Sequence, residues 1–254
     1  MSFLQFYNLS RFPKIRHGIF TRKGGYSPRP FHSLNTSYTV GDNPANVRKN
    51  RGLIADCFVN GQNKASMIYL KQVHSDRIRV LTGKPEQELS NRPDLHLEGD
   101  AVVTNLSGRY LVIQVADCQS VLFYDPVKHV AANVHSGWRG SVQNIIGKTV
   151  CLMKQQFMSN PEDIVAGIGP SLGPCCAEFV NYRFEIPENF RKYKTGRHFF
   201  DFWAISRKQM TSEGIREENI ETAEMCTRCR KDLFFSYRGE QVTGRFSGVI
   251  GILQ

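Results

Sequence analysis

Ala116-Asp117-Cys118-Gln119-Ser120-Val121-Leu122-Phe123-Tyr124-Asp125-Pro126-Val127-Lys128-His129-Val130-Ala131-Ala132-Asn133-Val134-His135-Ser136-Gly137-Trp138-Arg139-Gly140 holds two apolar runs around an Asp-Pro turn. Short runs rich in Val, Leu and aromatic residues, split by a turn signal, read as a β-hairpin. With arms at 120–124 and 129–134 and a loop at 125–128, residue 124 faces 129, 121 faces 132 and Cys118 faces His135. A thiol and an imidazole then meet at one end of a sheet. Such a pair serves either as metal ligands or as a nucleophile with its base.

Upstream, 101–105 and 110–116 have the same composition and extend the hairpin into a meander. Downstream, Val142, Ile145, Ile146, Thr149, Val150, Met153 and Phe157 recur at helical spacing, predicting one amphipathic helix over about 141–158. Gly137-Trp138-Arg139-Gly140 is thereby placed at a helix N-terminus, where free N–H groups and Arg139 favour an anion. Asn43-Pro44 is an N-cap with a first-turn proline, and the apolar spacing that follows predicts a helix over 43–58. Further strands are expected at 163–168 and 245–252, a helix at 202–213, and a surface loop at 84–99. Grouped strands with interspersed helices predict an α+β fold, distinct from a strictly alternating parallel one. The length of 254 residues suits a single domain, 1–254.

Composition narrows the function. Hydrophobic residues make up 41% and charged residues 22%, the balance of a globular protein. Neither a signal-peptide pattern at Met1-Ser2-Phe3-Leu4 nor an apolar run of membrane length is present, so a cytoplasmic protein without a membrane partner is expected. The seven cysteines are odd in number and scattered, as reduced thiols are. A net charge of +10 favours anionic partners. The basic residues form no dense block or RNA-binding signature, which argues against nucleic acid. The nucleophile elbow, the dinucleotide fingerprint and the His-x-Glu deaminase signature are all missing.

Cys118 and His135 are only two ligands, and catalytic zinc takes three from the protein. His74 ends Lys71-Gln72-Val73-His74 after the strand-like Met67-Ile68-Tyr69-Leu70, a place where site residues occur and where structural histidines are also common. His17, His32, His96, His129 and His198 lack partners at ligand spacing and read as structural or solvated. Cys226-Thr227-Arg228-Cys229 has the spacing of half a zinc ribbon or of a redox pair. A structural metal there needs a second pair, for which Cys175-Cys176 is the crowded candidate, and the redox reading needs a βαβ context that the pattern does not supply. Thr21-Arg22-Lys23-Gly24-Gly25 lacks the ending of a phosphate loop and reads as a tight turn.

In order along the chain, His17-Gly18 with Thr21-Arg22-x-Gly24-Gly25, Ser33-Leu34-Asn35, Gly41-Asp42-Asn43-Pro44 with Asn50-Arg51, Lys71-Gln72-Val73-His74, Gly99-Asp100-Ala101, Ala116-Asp117-Cys118, His135-x-Gly137-Trp138-Arg139-Gly140, Gly167-Ile168-Gly169-Pro170 and Cys226-Thr227-x-Cys229 with Phe234-Phe235-Ser236-Tyr237-Arg238 resemble the laccase-domain family. That family was once labelled polyphenol oxidase and is now associated with zinc-dependent purine nucleoside phosphorolysis. The resemblance implies a four-layer α-β-β-α arrangement with mixed β-sheets. It implies Zn²⁺ held by His74, Cys118 and His135, which would also be the catalytic residues. The implied activity is cleavage of adenosine, inosine, guanosine and methylthioadenosine with phosphate, with deamination of adenosine at the same site. Within it, Arg51 and Arg139 are candidate phosphate contacts because a guanidinium fork matches phosphate oxygens. Asn35 is a candidate substrate hydrogen bond, and Asp117 a candidate orienter of a ligand. The chain departs from the family's usual Pro two residues after the Cys, at Gln119-Ser120, and from its usual Ala at Ser136, changes that bear on pocket shape.

Three rival readings remain open from sequence. One is a metal-independent Cys118–His135 hydrolase or deamidase. Another is a copper polyphenol oxidase, disfavoured by the small number of scattered histidines. The last is a basic, non-catalytic RNA- or partner-binding protein.

Overall fold

The computed structural model describes residues 1–59, 66–83 and 97–254, so residues 84–96 of the expected loop, and His96 with them, lie outside the described residues. Strands β1 (Phe3–Leu4), β2 (Ile15–Phe20), β3 (Ser66–Lys71), β5 (Leu97–Glu98), β7 (Arg109–Val115) and β12 (Phe246–Ile252) form one mixed sheet, ordered β1-β2-β12-β7-β3-β5. The second mixed sheet takes β4 (Ile78–Leu81), β6 (Ala101–Thr104), β8 (Gln119–Asp125), β9 (Val130–Ser136), β10 (Val165–Ile168) and β11 (Ile220–Thr222), ordered β11-β10-β8-β9-β6-β4.

Alternation along the central strands explains the layering. In β7, Leu111, Ile113 and Val115 join the core between the sheets, while Tyr110 and Val112 pack outward with Ile54 and Phe58 of helix α2 (Pro44–Val59), the second after the short α1 (Tyr7–Ser10). In β8, Leu122 and Tyr124 point to the inter-sheet core. Val121 and Phe123 point the other way, under Ile146, Val150 and Met153 of one helix and Met210 of another. Both faces of each central strand are covered, so these strands read as near-continuous apolar runs. The result is the expected four-layer α-β-β-α order of helix, sheet, sheet, helices. Asn43 caps α2 as its sequence suggested, its Oδ1 accepting from the Ala45 N–H at 2.8 Å.

Two expectations are corrected. The hairpin pairs Tyr124 with Ala131, Val121 with Val134 and Ser120 with His135, two residues away from the register read from sequence. Asp125 Oδ1 accepts from the N–H groups of Val127 and Lys128, and His129 adopts a left-handed φ of 53°, so the turn consumes 126–129. A two-residue slip preserves which side chains face inward, because the period of a strand is two. The helix read over 141–158 is two helices, α3 (Trp138–Val142) and α4 (Ile145–Phe157), interrupted at Asn144 with φ 58°. Asn144 Oδ1 accepts from Gly147 N–H, so this asparagine starts α4 itself. The Trp138-Arg139 turn therefore does not sit on the long helix's N-terminus, and the helix-dipole argument for an anion there falls away. Helix α6 (Phe202–Ser212), following the short α5 (Tyr182–Glu185), completes the outer layer close to its expected bounds.

The two departures from the family pattern have local accommodations. Ser120 Oγ donates to Asn133 Oδ1, whose amide in turn donates to the carbonyls of Leu111 and Gly248 on the opposite sheet. A Cβ at Gly248 would lie 2.1 Å from Ser120 Oγ, so glycine is what allows this polar bridge. Ser136 Oγ pairs with Ser141 Oγ at 3.0 Å.

Candidate metal centre and its cavity

The ends of β3, β6, β8 and β9 converge at one end of the two sheets. Past β3, Gln72 continues the strand pairing with its side chain, donating to Gln114 O and accepting from Gln114 N–H, both at 2.9 Å. The chain then turns sharply at His74, which has φ 60°. Asp100, directly before β6, fixes that turn: its carboxylate accepts from the backbone N–H groups of Val73, His74 and Ser75 and from the Ser75 hydroxyl. The same carboxylate accepts from His135 Nδ1 at 2.8 Å, leaving Nε2 free for another partner. Cys118 arrives from the β8 end through Asp117, whose φ is 88°. His74 Nε2 lies 4.0 Å from Cys118 Sγ, and the donor atoms of His74, Cys118 and His135 all lie within 4.8 Å of one another. Thus the three residues do meet, though Cys118 reaches His135 by a turn and not by cross-strand opposition.

Their electrostatics favour a thiolate. Burial pushes the Cys118 thiol up, but His135 and His74 beside it outweigh burial and bring it down to about 6. Burial likewise pushes the His135 ring down, and Cys118 together with Asp100 outweighs it, raising the ring to about 9. Gly137 gives the cluster room: a Cβ there would lie 2.8 Å from Cys118 Sγ and 3.4 Å from His74 Cδ2.

The donors open into a cavity of about 640 Å³, within the range of small-molecule sites. Its walls differ. Leu172, Ala177, Phe179, Phe202 and Trp138 form an apolar side, packed as one cluster. Opposite chemistry comes from Arg51, Lys71, Arg139, Arg238 and Arg245. Arg51 donates from Nε to Thr36 O at 2.8 Å and stacks on the rings of Tyr69 and Tyr38, 3.7 and 4.3 Å from their centroids. Arg139 rests on Trp138, 4.3 Å from the ring centroid.

Two residues with expected roles have other partners. Asn35 does not line the cavity; it is fully buried, and its amide donates to Ser37 O and Asp42 Oδ2 while accepting from the N–H groups of Ser37 and Arg245. Asp117 orients no ligand side chain; it accepts from the Thr227 hydroxyl and from Arg238 N–H, tying the 225–240 segment to the cavity rim. The carboxylate that orients His135 is Asp100. Its position beside Gly99 was visible in the sequence, but nothing local marks an aspartate before a strand as the partner of a histidine 35 residues away. Arg238 and Arg245 were missed for the same reason, since each reaches the cavity only through chain reversal. His17 is structural, as expected: its Nε2 accepts from Phe6 N–H at 2.9 Å. Gly24 takes a left-handed φ of 88° in the Thr21–Gly25 segment, and none of these five residues is among those lining the cavity.

Residues 16–253 match the family described as "Multi-copper polyphenol oxidoreductase laccase". The chain belongs to this laccase-domain family. Among curated relatives, a Bacteroides thetaiotaomicron protein named purine nucleoside phosphorylase is 32% identical over 245 residues, covering 92% of this chain and 90% of its own. Purine nucleoside phosphorylase YlmD of Bacillus subtilis is 31% identical over 245 residues, covering 92% and 87%. Among solved structures, the Bacillus licheniformis hypothetical protein YfiH superposes with a TM-score of 0.88 at 30% identity, over 99% of this chain and 96% of that one. YlmD of Geobacillus stearothermophilus gives 0.87 at 28% identity, over 100% and 97%. No helix among the described residues is long and apolar enough to cross a membrane.

Proposed function

We propose that this chain is a zinc-dependent purine nucleoside phosphorylase that cleaves adenosine, inosine, guanosine or methylthioadenosine with phosphate and deaminates adenosine at the same site. The observation that carries the reading is the His74–Cys118–His135 donor set opening into a cavity lined by both cationic and apolar side chains. Relatives covering nearly the whole chain and named purine nucleoside phosphorylase support it.

The donor set fits Zn²⁺: two imidazoles and a thiol already drawn toward its anionic form match a three-ligand catalytic zinc site with one open position. When bound, the ion supplies Lewis acidity toward an oxygen nucleophile. Asp100 fixes the tautomer and orientation of His135 and holds the His74 turn, so both imidazoles are pre-positioned. Arg51 and Arg139 offer planar forks to phosphate oxygens, and the stacking of each on aromatic rings lowers the entropy lost on binding. The apolar wall of Trp138, Phe179 and Phe202 excludes water and offers faces for the purine. Phosphate, held at the arginines, attacks the ribose carbon as the purine departs. In deamination a water-derived nucleophile instead attacks the purine ring carbon that bears the amino group, which leaves as ammonia.

Copper chemistry is less well supported, because among the described residues His74 and His135 are the only histidines lining the cavity and no methionine lines it. The Cys118–His135 hydrolase keeps the pair without the ion. Zinc analysis of purified protein, with product analysis after incubation with adenosine with and without phosphate, separates these readings. About one zinc at this site and phosphate-dependent release of adenine are expected, with inosine marking deamination. Alkylation-sensitive, zinc-independent hydrolysis would replace this reading with the hydrolase.

A further inference from the structure

Away from the cavity floor, the fold brings together four cysteines that are far apart in the chain. Cys175 and Cys176 lie in the turn after β10, and Cys226 and Cys229 in the turn after β11. Cys229 Sγ is 3.6 Å from both Cys175 Sγ and Cys176 Sγ, and all four sulfur atoms lie within 4.8 Å of one another. From this geometry we infer a second, structural metal site, a tetrathiolate of Cys175, Cys176, Cys226 and Cys229 that takes Zn²⁺.

The spacing decides between the chemistries open to four thiols. A disulfide holds its sulfurs at about 2.05 Å. A zinc ion with Zn–S bonds of about 2.3 Å sets neighbouring sulfurs of a tetrahedron about 3.8 Å apart. The 3.6 Å separations match the tetrahedral edge. The backbone N–H groups of Cys229 and Gly173 also approach Cys226 Sγ. Gly173 is needed for that approach, since a Cβ there would lie 3.1 Å from Cys226 Cβ and 2.9 Å from the Trp203 ring. Cys176 and Cys226 are buried while Cys175 and Cys229 are exposed, which leaves an entry path for the ion. Four protein ligands leave no open position, so the site is structural and not catalytic.

Its placement gives it a task. The first turn continues into Ala177 and Phe179 of the apolar wall. The second continues into Tyr237 and Arg238 on the rim, anchored to Asp117 through Thr227. An ion at the four thiols therefore clamps two cavity walls that are also linked by the isolated Ser171–Cys226 bridge.

The inference stands whether or not His74, Cys118 and His135 bind zinc, and its test is separable. In reducing buffer without chelator, the triple variant His74→Ala, Cys118→Ala, His135→Ala is expected to retain about one zinc per chain. Adding Cys175→Ser and Cys229→Ser, both at exposed positions, is expected to remove it. Cobalt reconstitution of the triple variant should give an intense thiolate-to-cobalt charge-transfer band, lost with the same two serines. On unmutated protein, which needs no variant to fold, zinc should protect these four thiols from alkylation under native conditions, as located by peptide mass spectrometry, and chelation should expose them. Free alkylation of all four in zinc-loaded protein, or disulfides among them in reducing buffer, would overturn the site.

Discussion

Asp100→Asn is the sharpest test of how the cavity is held. The carboxylate is inaccessible to solvent and divides its partners between two oxygens: His74 N–H and His135 Nδ1 on Oδ1, Ser75 N–H and its hydroxyl on Oδ2, and Val73 N–H shared by both but nearer Oδ1. An asparagine keeps one acceptor and turns the other into a donor. In the less damaging orientation its NH₂ faces the Ser75 N–H, while the Ser75 hydroxyl can rotate to accept. Losing one charge-assisted hydrogen bond with a buried donor left unsatisfied costs about 2–3 kcal/mol, and reducing the remaining bonds to neutral ones costs about 1 more. The sum, about 3–4 kcal/mol, is a large share of the roughly 5–15 kcal/mol stability of a typical domain. Zinc affinity should fall about 10- to 100-fold, the usual effect of removing a partner that orients a ligand. Urea unfolding of metal-free protein reads the first quantity, and competition against a chromophoric chelator reads the second. Ser75→Ala, which removes only the hydroxyl bond, should cost about 1 kcal/mol. A loss below about 1 kcal/mol in Asp100→Asn, with unchanged zinc affinity, would refute the assignment of Asp100 as the shared anchor.

Other outcomes follow from single contacts. Burial lowers His17 from 6.5 to about 4, so the unfolded chain takes up a proton before the folded protein does. Its contribution is fully present above pH 6.5 and is lost as pH falls toward 4, by up to about 3 kcal/mol; His17→Gln should flatten urea-measured stability across that window. Gly137→Ala, at a φ of −85° that any residue adopts, would place its Cβ 2.8 Å from Cys118 Sγ. Zinc affinity by chelator competition should fall at least about tenfold while the thermal midpoint moves only a few degrees. Arg51→Lys removes the planar fork seated between Tyr38 and Tyr69. Steady-state kinetics should show KM for phosphate raised about tenfold, with a smaller change for the nucleoside.

Elements whose signals are local were legible along the chain. Asn43-Pro44 set the start of one helix, the short apolar runs at 110–116 and 120–124 set central strands, and the hairpin brought the start of β8, next to Cys118, alongside His135. The sequence also placed His74 at a strand end. What it could not decide depended on geometry summed over distance. The register of the hairpin turned on whether His129 would take a left-handed conformation. The break at Asn144 depended on one side chain capping Gly147 against a continuous helical pattern. Asn35 has the polarity of a substrate contact, yet tertiary packing consumed every bond its amide can make. Asp100, Arg238 and Arg245 acquired their places only when separate chain segments closed around the same end of two sheets. Likewise, two cysteine pairs about 50 residues apart in sequence (175/176 and 226/229) became one cluster only in the folded chain. Periodicity and capping act over a few residues and are written in the chain; the convergence of side chains follows from how strands of two sheets stack, and tertiary structure alone fixes it.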